Sequence, residues 1–272
     1  MGVAVLMATY GRDDPVFLAE ALESLLRQTH LPEEVVLVED GPLPLSLREV
    51  IETYRRQLPL CSVALVRNSG LAAALNAGLA RCTQAWVARF DSDDVAEPQR
   101  IELQLAAARQ GLADVFGGYA LEIGADGMPG EVRRMPLDHG AIMASLWACP
   151  FIHPTVMYRR EAIVALGGYR SDLRRSEDYD LWFRCARAGL RFANLPEVLI
   201  RHRFDAASHG RHSLGDALER AVTGFRGAGL VGLPLWTRFA CFVPVLRSLL
   251  PLGLRHGAYT WLSRFDPRRK RR

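Results

Sequence analysis

Three short stretches of the chain hold side chains suited to chemistry. The first, Asp91-Ser92-Asp93-Asp94, sets carboxylates two residues apart. In an extended strand end, residues i and i+2 point the same way. Asp91 and Asp93 can therefore converge on one hard divalent cation, Mg2+ or Mn2+, leaving positions for phosphate oxygens and water. Turn and cap roles compete with that reading. Asp94 and Glu97 have the spacing of a capping box, so Asp94 is given the structural role. The second stretch, Ser176-Glu177-Asp178-Tyr179-Asp180, crowds three carboxylates into four residues. Their repulsion should raise the pKa of one, as a general base working near neutral pH requires. Acidic residues at a helix start also complement the helix dipole. The third, Asn68-Ser69-Gly70, opens an alanine-rich segment carrying Asn76 and Gly78. Its glycine and free backbone N–H groups could approach a diphosphate, although Asn and Gly also make ordinary turns.

These residues need elements to position them. Val3 to Ala8 reads as a buried strand. Asp14-Pro15 offers a cap and a first-turn proline to a helix with Phe17, Leu18, Ala21, Leu22, Leu25 and Leu26 at helical spacing. Val35 to Val38 is a second strand, running into Glu39-Asp40-Gly41. A helix over 47–57, a strand at 62–66, a helix over 71–81 and a strand at 86–90 follow. Such alternation predicts an α/β fold with a mostly parallel sheet and helices on both faces, which binds ligands at the carboxyl ends of its strands. Asp40 and the Asp91/Asp93 pair both fall at such ends. Further on, Met128-Pro129-Gly130 predicts a turn, Pro154 to Tyr158 a strand, 177–188 a helix and Val198 to Ile200 a strand. Beyond about residue 213 the pattern is helical, broken by Pro234, Pro244 and Pro251.

Composition narrows the class. The chain has 272 residues, 49% hydrophobic and 24% charged, with mean hydropathy of +0.02; collagen-like, disordered and polytopic membrane classes are excluded. Five cysteines without a C-x-x-C pair suggest neither a disulfide framework nor a zinc ribbon, and fit a reducing compartment. No basic stretch precedes the first apolar run and Thr9-Tyr10-Gly11-Arg12-Asp13 cuts it short, so the segment does not read as a signal peptide and a cytoplasmic location is expected. Residues 1–200 carry 20 basic against 26 acidic side chains, whereas 201–272 carry 14 against 4. That acidic body would repel a phosphate backbone, which argues against a nucleic-acid-binding protein or nuclease.

In this order the segments resemble the family 2 glycosyltransferases, the inverting nucleotide-sugar enzymes of the GT-A fold, over about residues 2–205. The resemblance rests on Ala8-Thr9-Tyr10, Val38-Glu39-Asp40-Gly41, Asn68-x-Gly70-Leu71, the D-x-D at Asp91-Ser92-Asp93, and Glu177-Asp178. Within the family it is most similar to bacterial exopolysaccharide enzymes of the amylovoran and capsule type, through 37–43, 86–94 and 192–199. The resemblance implies a nucleotide-diphospho-sugar donor, a UDP-sugar favoured, whose base and ribose meet Thr9 and Asp40. Asn68 and Gly70 join the nucleotide-binding set. Asp91 would contact ribose or metal and Asp93 the metal, with His202 as a further ligand and His209 as its rival for that place. Asp178 would be the base that deprotonates the acceptor hydroxyl, and Glu177 would orient the acceptor or Asp178. His153 would line the acceptor side. The chain departs from the family in having Gly41-Pro42-Leu43-Pro44 where many members carry a second acid, and Leu75 where many carry arginine. The alternative from another class is a non-catalytic assembly partner, against which the retained Asp91, Asp93 and Asp178 count.

The resulting organisation is a catalytic domain over 1–212, with a nucleotide-sugar half (1–120) and an acceptor half (121–212), followed by a basic helical extension over 213–272. Its apolar part, 229–254, is interrupted by Arg238 and Arg247 and falls short of the roughly 20 residues that cross a bilayer. With Trp236, Trp261 and the terminal Arg268-Arg269-Lys270-Arg271-Arg272 it suits peripheral contact with the cytoplasmic face of the bacterial inner membrane. A lipid-linked glycan, for example one on a polyprenyl carrier, is the acceptor the family suggests. Packing of the extension on the body is the competing expectation.

Overall fold

The computed structural model describes residues 1–203 and 213–248. The first ninety residues alternate as expected: β1 (Val3–Tyr10), α1 (Pro15–Leu26), β2 (Glu34–Asp40), α2 (Leu45–Arg55), β3 (Leu60–Ala64), α3 (Leu71–Leu79) and β4 (Trp86–Arg89). After them come β5 (Val95–Ala96), α4 (Arg100–Arg109), β6 (Val115–Ile123), β7 (Pro129–Arg133), α5 (His139–Ala144), β8 (Met157–Arg159), α6 (Arg160–Ala165), α7 (Glu177–Arg187) and β9 (Phe192–Arg203). Three helices, α8 (Leu214–Leu230), α9 (Leu235–Ala240) and α10 (Val243–Ser248), follow. One sheet runs β3-β2-β1-β4-β8-β6-β9-β5, with β7 paired to β6. Its first four strands are parallel. β8 is antiparallel to β4 and β6, while β6 and β9 are again parallel.

The sheet is covered on both faces, which is why β1 and β2 read as unbroken apolar runs. Val3, Val5 and Met7 face one core with residues of α1, α2 and α4. Ala4 and Leu6 face the other, with residues of α3 and α7. Burying each large side chain contributes roughly 1.5–3 kcal/mol, and α7 alone inserts Tyr179, Leu181, Trp182 and Phe183. As read from the sequence, Asp14 caps α1: its Oδ1 accepts the Val16 N–H at 2.8 Å, with Pro15 in the first turn.

Three local expectations shift. The third strand starts at Leu60 and ends at Ala64, leaving Val66 exposed. The turn expected at Met128-Pro129-Gly130 closes earlier, where Gly127 donates to the Gly124 carbonyl at 3.0 Å, and Pro129 opens β7. The strand expected from Pro154 begins only at Met157, because His153–Thr155 forms a 3-10 turn; proline has no N–H to give a sheet ladder. Pro234 caps α9, and Pro244 sits in the first turn of α10, where it is tolerated. His209, Pro251, Trp261 and the run 268–272 lie outside the described residues.

Candidate active site

β1, β2 and β4 end at one edge of the sheet, and the register sets Tyr10 opposite Asp40. Thr9 is buried there and donates its hydroxyl to Asp13 Oδ2 at 2.9 Å. The same oxygen accepts the Ser92 hydroxyl at 2.8 Å and the Tyr10 N–H at 3.2 Å. Asp13 thus ties the end of β1 to the D-x-D loop. Burial raises its carboxyl above the ordinary range, and the Ser92 and Thr9 hydrogen bonds oppose that rise.

Asp40 is buried and accepts two backbone N–H groups, from Ser69 at 2.6 Å and Gly70 at 3.0 Å. It therefore holds the turn that starts α3. Two of the N–H groups expected to be free for a diphosphate are committed to this carboxylate instead, because a buried acid at a helix start recruits the nearest orphan amides. Gly41 makes the approach possible: its φ is +89°, and a Cβ there would lie 2.5 Å from the Asn68 nitrogen. Downstream, Asn76 clamps Tyr169 in both directions, donating to its carbonyl at 2.7 Å and accepting its N–H at 2.8 Å. The Tyr169 hydroxyl meets His153 Nε2 at 3.1 Å. Burial holds His153 well below the usual histidine range, hence neutral, and its ring packs against Trp182.

Beyond β4, side-chain oxygens of Asp91, Asp93 and Asp94 lie within 4.8 Å of one another. The three differ in what the protein already does with them. Asp91 Oδ2 is 2.5 Å from Arg89 Nη1, a guanidinium buried in β4. Asp94 is fully buried and bonds His202 Nδ1 at 3.0 Å and the Arg203 N–H at 2.8 Å. Its structural role stands, but the device is a clasp on β9 and not the capping box with Glu97, whose side chain pairs instead with Arg201 at 2.8 Å. Asp93 is exposed, and its carboxylate has no hydrogen-bond partner among the described residues. Desolvation first, then Asp91 and Asp94, push it up to about 7, with His202 opposing. Burial would lower the pKa of His202, and Asp94 outweighs it to leave the ring raised.

The second acidic stretch opens α7. Glu177 is buried, and its Oε2 has no hydrogen-bond partner among the described residues. Asp178 is half-buried and accepts the Tyr179 N–H at 2.7 Å. The Glu177 carboxyl is pushed up to about 7 by burial first and by Asp178 second. Burial raises Asp178 as well, against the pull of Arg220. Repulsion is therefore the lesser cause, and for Glu177 it comes from Asp178 and, from beyond β4, Asp91. Asp180 turns away to Arg184 at 2.7 Å and Arg170 at 3.6 Å. Arg184 in turn donates to the Leu166 and Gly168 carbonyls.

Comparison with known proteins decides what this geometry belongs to. The pattern of Glycosyl transferase family 2 matches residues 4–167. The chain belongs to that family. It is 39% identical over 202 residues to the amylovoran biosynthesis glycosyltransferase AmsE of Erwinia amylovora, covering 74% of this chain and 75% of the relative. It is 35% identical over 203 residues to an Escherichia coli UDP-Gal:alpha-D-GlcNAc-diphosphoundecaprenol beta-1,3-galactosyltransferase, covering 74% of each. In fold it is similar to S. aureus TarS 1-349 in complex with UDP-GlcNAc, with a TM-score of 0.70 at 18% identity over 97% of this chain and 80% of that one. It is also similar to the mannosyltransferase PcManGT of Pyrobaculum calidifontis in complex with GDP-Man and Mn2+, with a TM-score of 0.65 at 16% identity over 96% and 75%. These likenesses establish a GT-A fold.

In this glycosyltransferase, sequence reading missed Asp13, Arg89 and Arg220. Arg89 had a signal, a charge inside an otherwise apolar strand. Asp13 had only its place beside the capping Asp14. Arg220 had none, since nothing local announces a contact across 42 residues.

Proposed function

We propose that this family 2 glycosyltransferase moves a sugar from a nucleotide-diphospho-sugar, a UDP-sugar by preference, to a hydroxyl of a lipid-linked glycan in bacterial surface polysaccharide assembly, with inversion. The observation that carries the reading is the pairing of two acidic centres, Asp91/Asp93 beyond β4 and Glu177/Asp178 at the start of α7, with buried Arg89 acting electrostatically on both. The donor set of the first centre, hard carboxylate oxygens with Asp93 raised by desolvation first and by Asp91 and Asp94 next, fits Mg2+ or Mn2+. Asp91 and Asp93 would hold the ion. His202 is the further ligand the family resemblance implies; it stands outside the carboxylate cluster, with its Nδ1 held by buried Asp94 at 3.0 Å. Held there, a divalent ion would supply stabilisation of the negative charge on the departing nucleoside diphosphate.

The chain's own residues do the rest. Asp178 takes the proton of the acceptor hydroxyl as that oxygen bonds to the anomeric carbon and the carbon–oxygen bond to the diphosphate breaks. Glu177, at its side, sets the charge that Asp178 experiences. Thr9 reaches the nucleotide side through Asp13, and Asp40 fixes the turn containing Asn68 and Gly70. The AmsE name supports the polysaccharide role, the E. coli relative's name supports a UDP donor and a diphosphate-linked polyprenol acceptor, and the PcManGT complex supports a metal. Residues 1–212 form the catalytic domain in this reading, and the extension 213–272, which packs on α7 through α8, contacts the cytoplasmic membrane face peripherally beyond that helix. No helix among the described residues is long and apolar enough to cross a membrane. Leu235, Trp236, Phe239 and Leu246 are each more than 60% exposed.

The test is a thermal-shift panel of UDP, GDP, TDP and CDP with and without Mn2+, together with transfer by Asp178→Asn. One nucleotide should stabilise the protein only with metal, and Asp93→Ala should abolish the shift. Asp178→Asn should keep the shift and lose roughly 100-fold or more in transfer rate. Full nucleotide stabilisation of Asp93→Ala, or undiminished transfer by Asp178→Asn, would overturn the assignments.

A further inference from the structure

The helices α7 and α8 both lie beyond the residues that the family pattern matches, and α8 is built onto α7. It reaches α7 by doing without side chains. A Cβ on Gly224 would lie 2.6 Å from the Tyr179 hydroxyl and 2.7 Å from Cys241 Sγ, and one on Gly227 would lie 2.1 Å from the Phe183 ring. Tyr179 is itself locked, its hydroxyl donating to the Trp147 carbonyl. Arg220 precedes Gly224 by four residues and therefore shares its face of the helix. Its guanidinium sits 4.9 Å from the centroid of the Tyr179 ring, the residue that follows the base.

The neighbouring residue of α8 holds the approach to the same site. Glu219 accepts the backbone N–H groups of Arg174 at 2.9 Å and Arg175 at 3.0 Å, which fixes the loop leading into Glu177 and Asp178. Arg220 differs from the other arginines around the site. Arg89 is paired with Asp91, Arg184 with Asp180 and Arg170 with Asp172. Arg220 makes no ion pair among the described residues; its polar partner is the Cys149 thiol. Asp178 draws on this charge without hydrogen-bonding to it among the described residues, so the half-buried guanidinium, stacked on an aromatic ring, keeps donors of its fork for a further anion. It stands beside the base, on the acceptor's side of the reaction. From there α8 leads to α9, where Phe225 of α8 packs on Phe239 and takes Arg238 over its ring at 4.2 Å.

We propose that Arg220 binds a phosphate of the acceptor, so that α8 forms the acceptor half of the active centre. This rests on the reading of Asp178 as the base. The ligand chemistry is a phosphate ester lying between the accepting sugar, which meets Asp178, and a hydrocarbon chain, which follows α8 toward the exposed apolar residues of α9.

The experiment uses the full chain saturated with UDP and Mn2+, so that the donor's phosphate site is filled. Farnesyl diphosphate is titrated in by calorimetry, with farnesol as the uncharged control. Wild type should bind the diphosphate saturably and farnesol far more weakly. Arg220→Ala should bind it at least roughly tenfold more weakly, and Arg220→Lys should fall between, keeping the charge but losing the fork. Equal UDP affinity in all three proteins serves as the control for folding. Asp178→Asn should bind the probe at least as well as wild type, so transfer that survives in that variant sinks the base assignment without touching this one. No binding by wild type, equal binding of farnesol, or unchanged affinity in Arg220→Ala overturns the proposal; the last would assign the probe to the basic tail.

Discussion

Arg89→Met tests whether the D-x-D loop is held from within the sheet. Arg89 is 2% exposed and its Nη1 lies 2.5 Å from Asp91 Oδ2. Its carbonyl accepts Arg100 Nη2 at 2.6 Å, so the strand backbone here is fixed independently of the guanidinium. Methionine fills much of the same volume and removes only the charge. Burial alone would lower the pKa of Arg89, but Asp91 first and then its other neighbours outweigh this and leave it raised. Removing one partner of a fully buried pair costs about 3–5 kcal/mol. The Asp91 side chain is 28% exposed, so water recovers part of that loss and about 2–3 kcal/mol is expected. For a chain of this size each kcal/mol moves the melting temperature by roughly 2–4 °C, so Arg89→Met should melt about 5–10 °C lower. The decisive measurement is the double variant Arg89→Met/Asp91→Asn. With the orphaned charge gone it should recover most of the loss, giving a coupling of about 2 kcal/mol between the two sites. A single variant melting within about 2 °C of wild type, or a double variant no better than the single, would refute the argument.

Two further outcomes follow from the same geometry. The base must be ionised to accept a proton, and burial raises both Glu177 and Asp178, Glu177 to about 7. With metal and substrates saturating, the transfer rate should therefore rise with pH and level off only above about 7, a limb that belongs to the pair jointly; Glu177→Gln should move it to lower pH, and a wild-type limb near the ordinary carboxylate value of about 4 would refute the shift. Trp236 and Phe239 are each 62% exposed on α9. Replacing both by serine should weaken co-sedimentation with phosphatidylglycerol vesicles by roughly tenfold or more at fixed salt, and unchanged binding would leave the basic tail as the sole contact.

What could be read from the sequence depended on the range of the cause. β1, β2 and β4 were legible because a strand buried on both faces is an apolar run, and α1 because Asp14-Pro15 carries its start signal in two adjacent residues. The second half of the sheet was not, since β6 takes β7, β8 and β9 as partners and no local pattern encodes a strand with three neighbours. Pro154 disguised the start of β8. Among candidate site residues, spacing and a place at a strand end pointed to Asp91 and Asp93, whereas Asp178 was singled out of its acidic stretch only by the family resemblance. The work of Asp40 could not, because its partners Ser69 and Gly70 are 29 and 30 residues away. Asp94 was correctly given a structural role on the wrong ground, for its true partners lie on β9, 108 and 109 residues along.

The acids of this site are of one chemical type, and it is their unmet hydrogen-bonding capacity that sorts them. A buried carboxylate must have its lone pairs filled. Asp13 takes three donors, Asp40 two amides, Asp94 an imidazole and an amide, and Asp180 two guanidinia. These four hold loops, strand ends and helix starts together. Glu177 is left with a buried oxygen that nothing among the described residues satisfies, Asp93 with an exposed carboxylate that takes no donor among them, and both are pushed up to about 7. The buried Glu177 oxygen costs stability in the unliganded protein, which an acceptor hydroxyl beside the Glu177–Asp178 pair would relieve, and a cation at Asp93 would offset the repulsion from Asp91 and Asp94. Sites in this fold are thus the places where the protein leaves its own acids unmet, and the ligands proposed for them supply the cation or the hydrogen-bond donor that is missing.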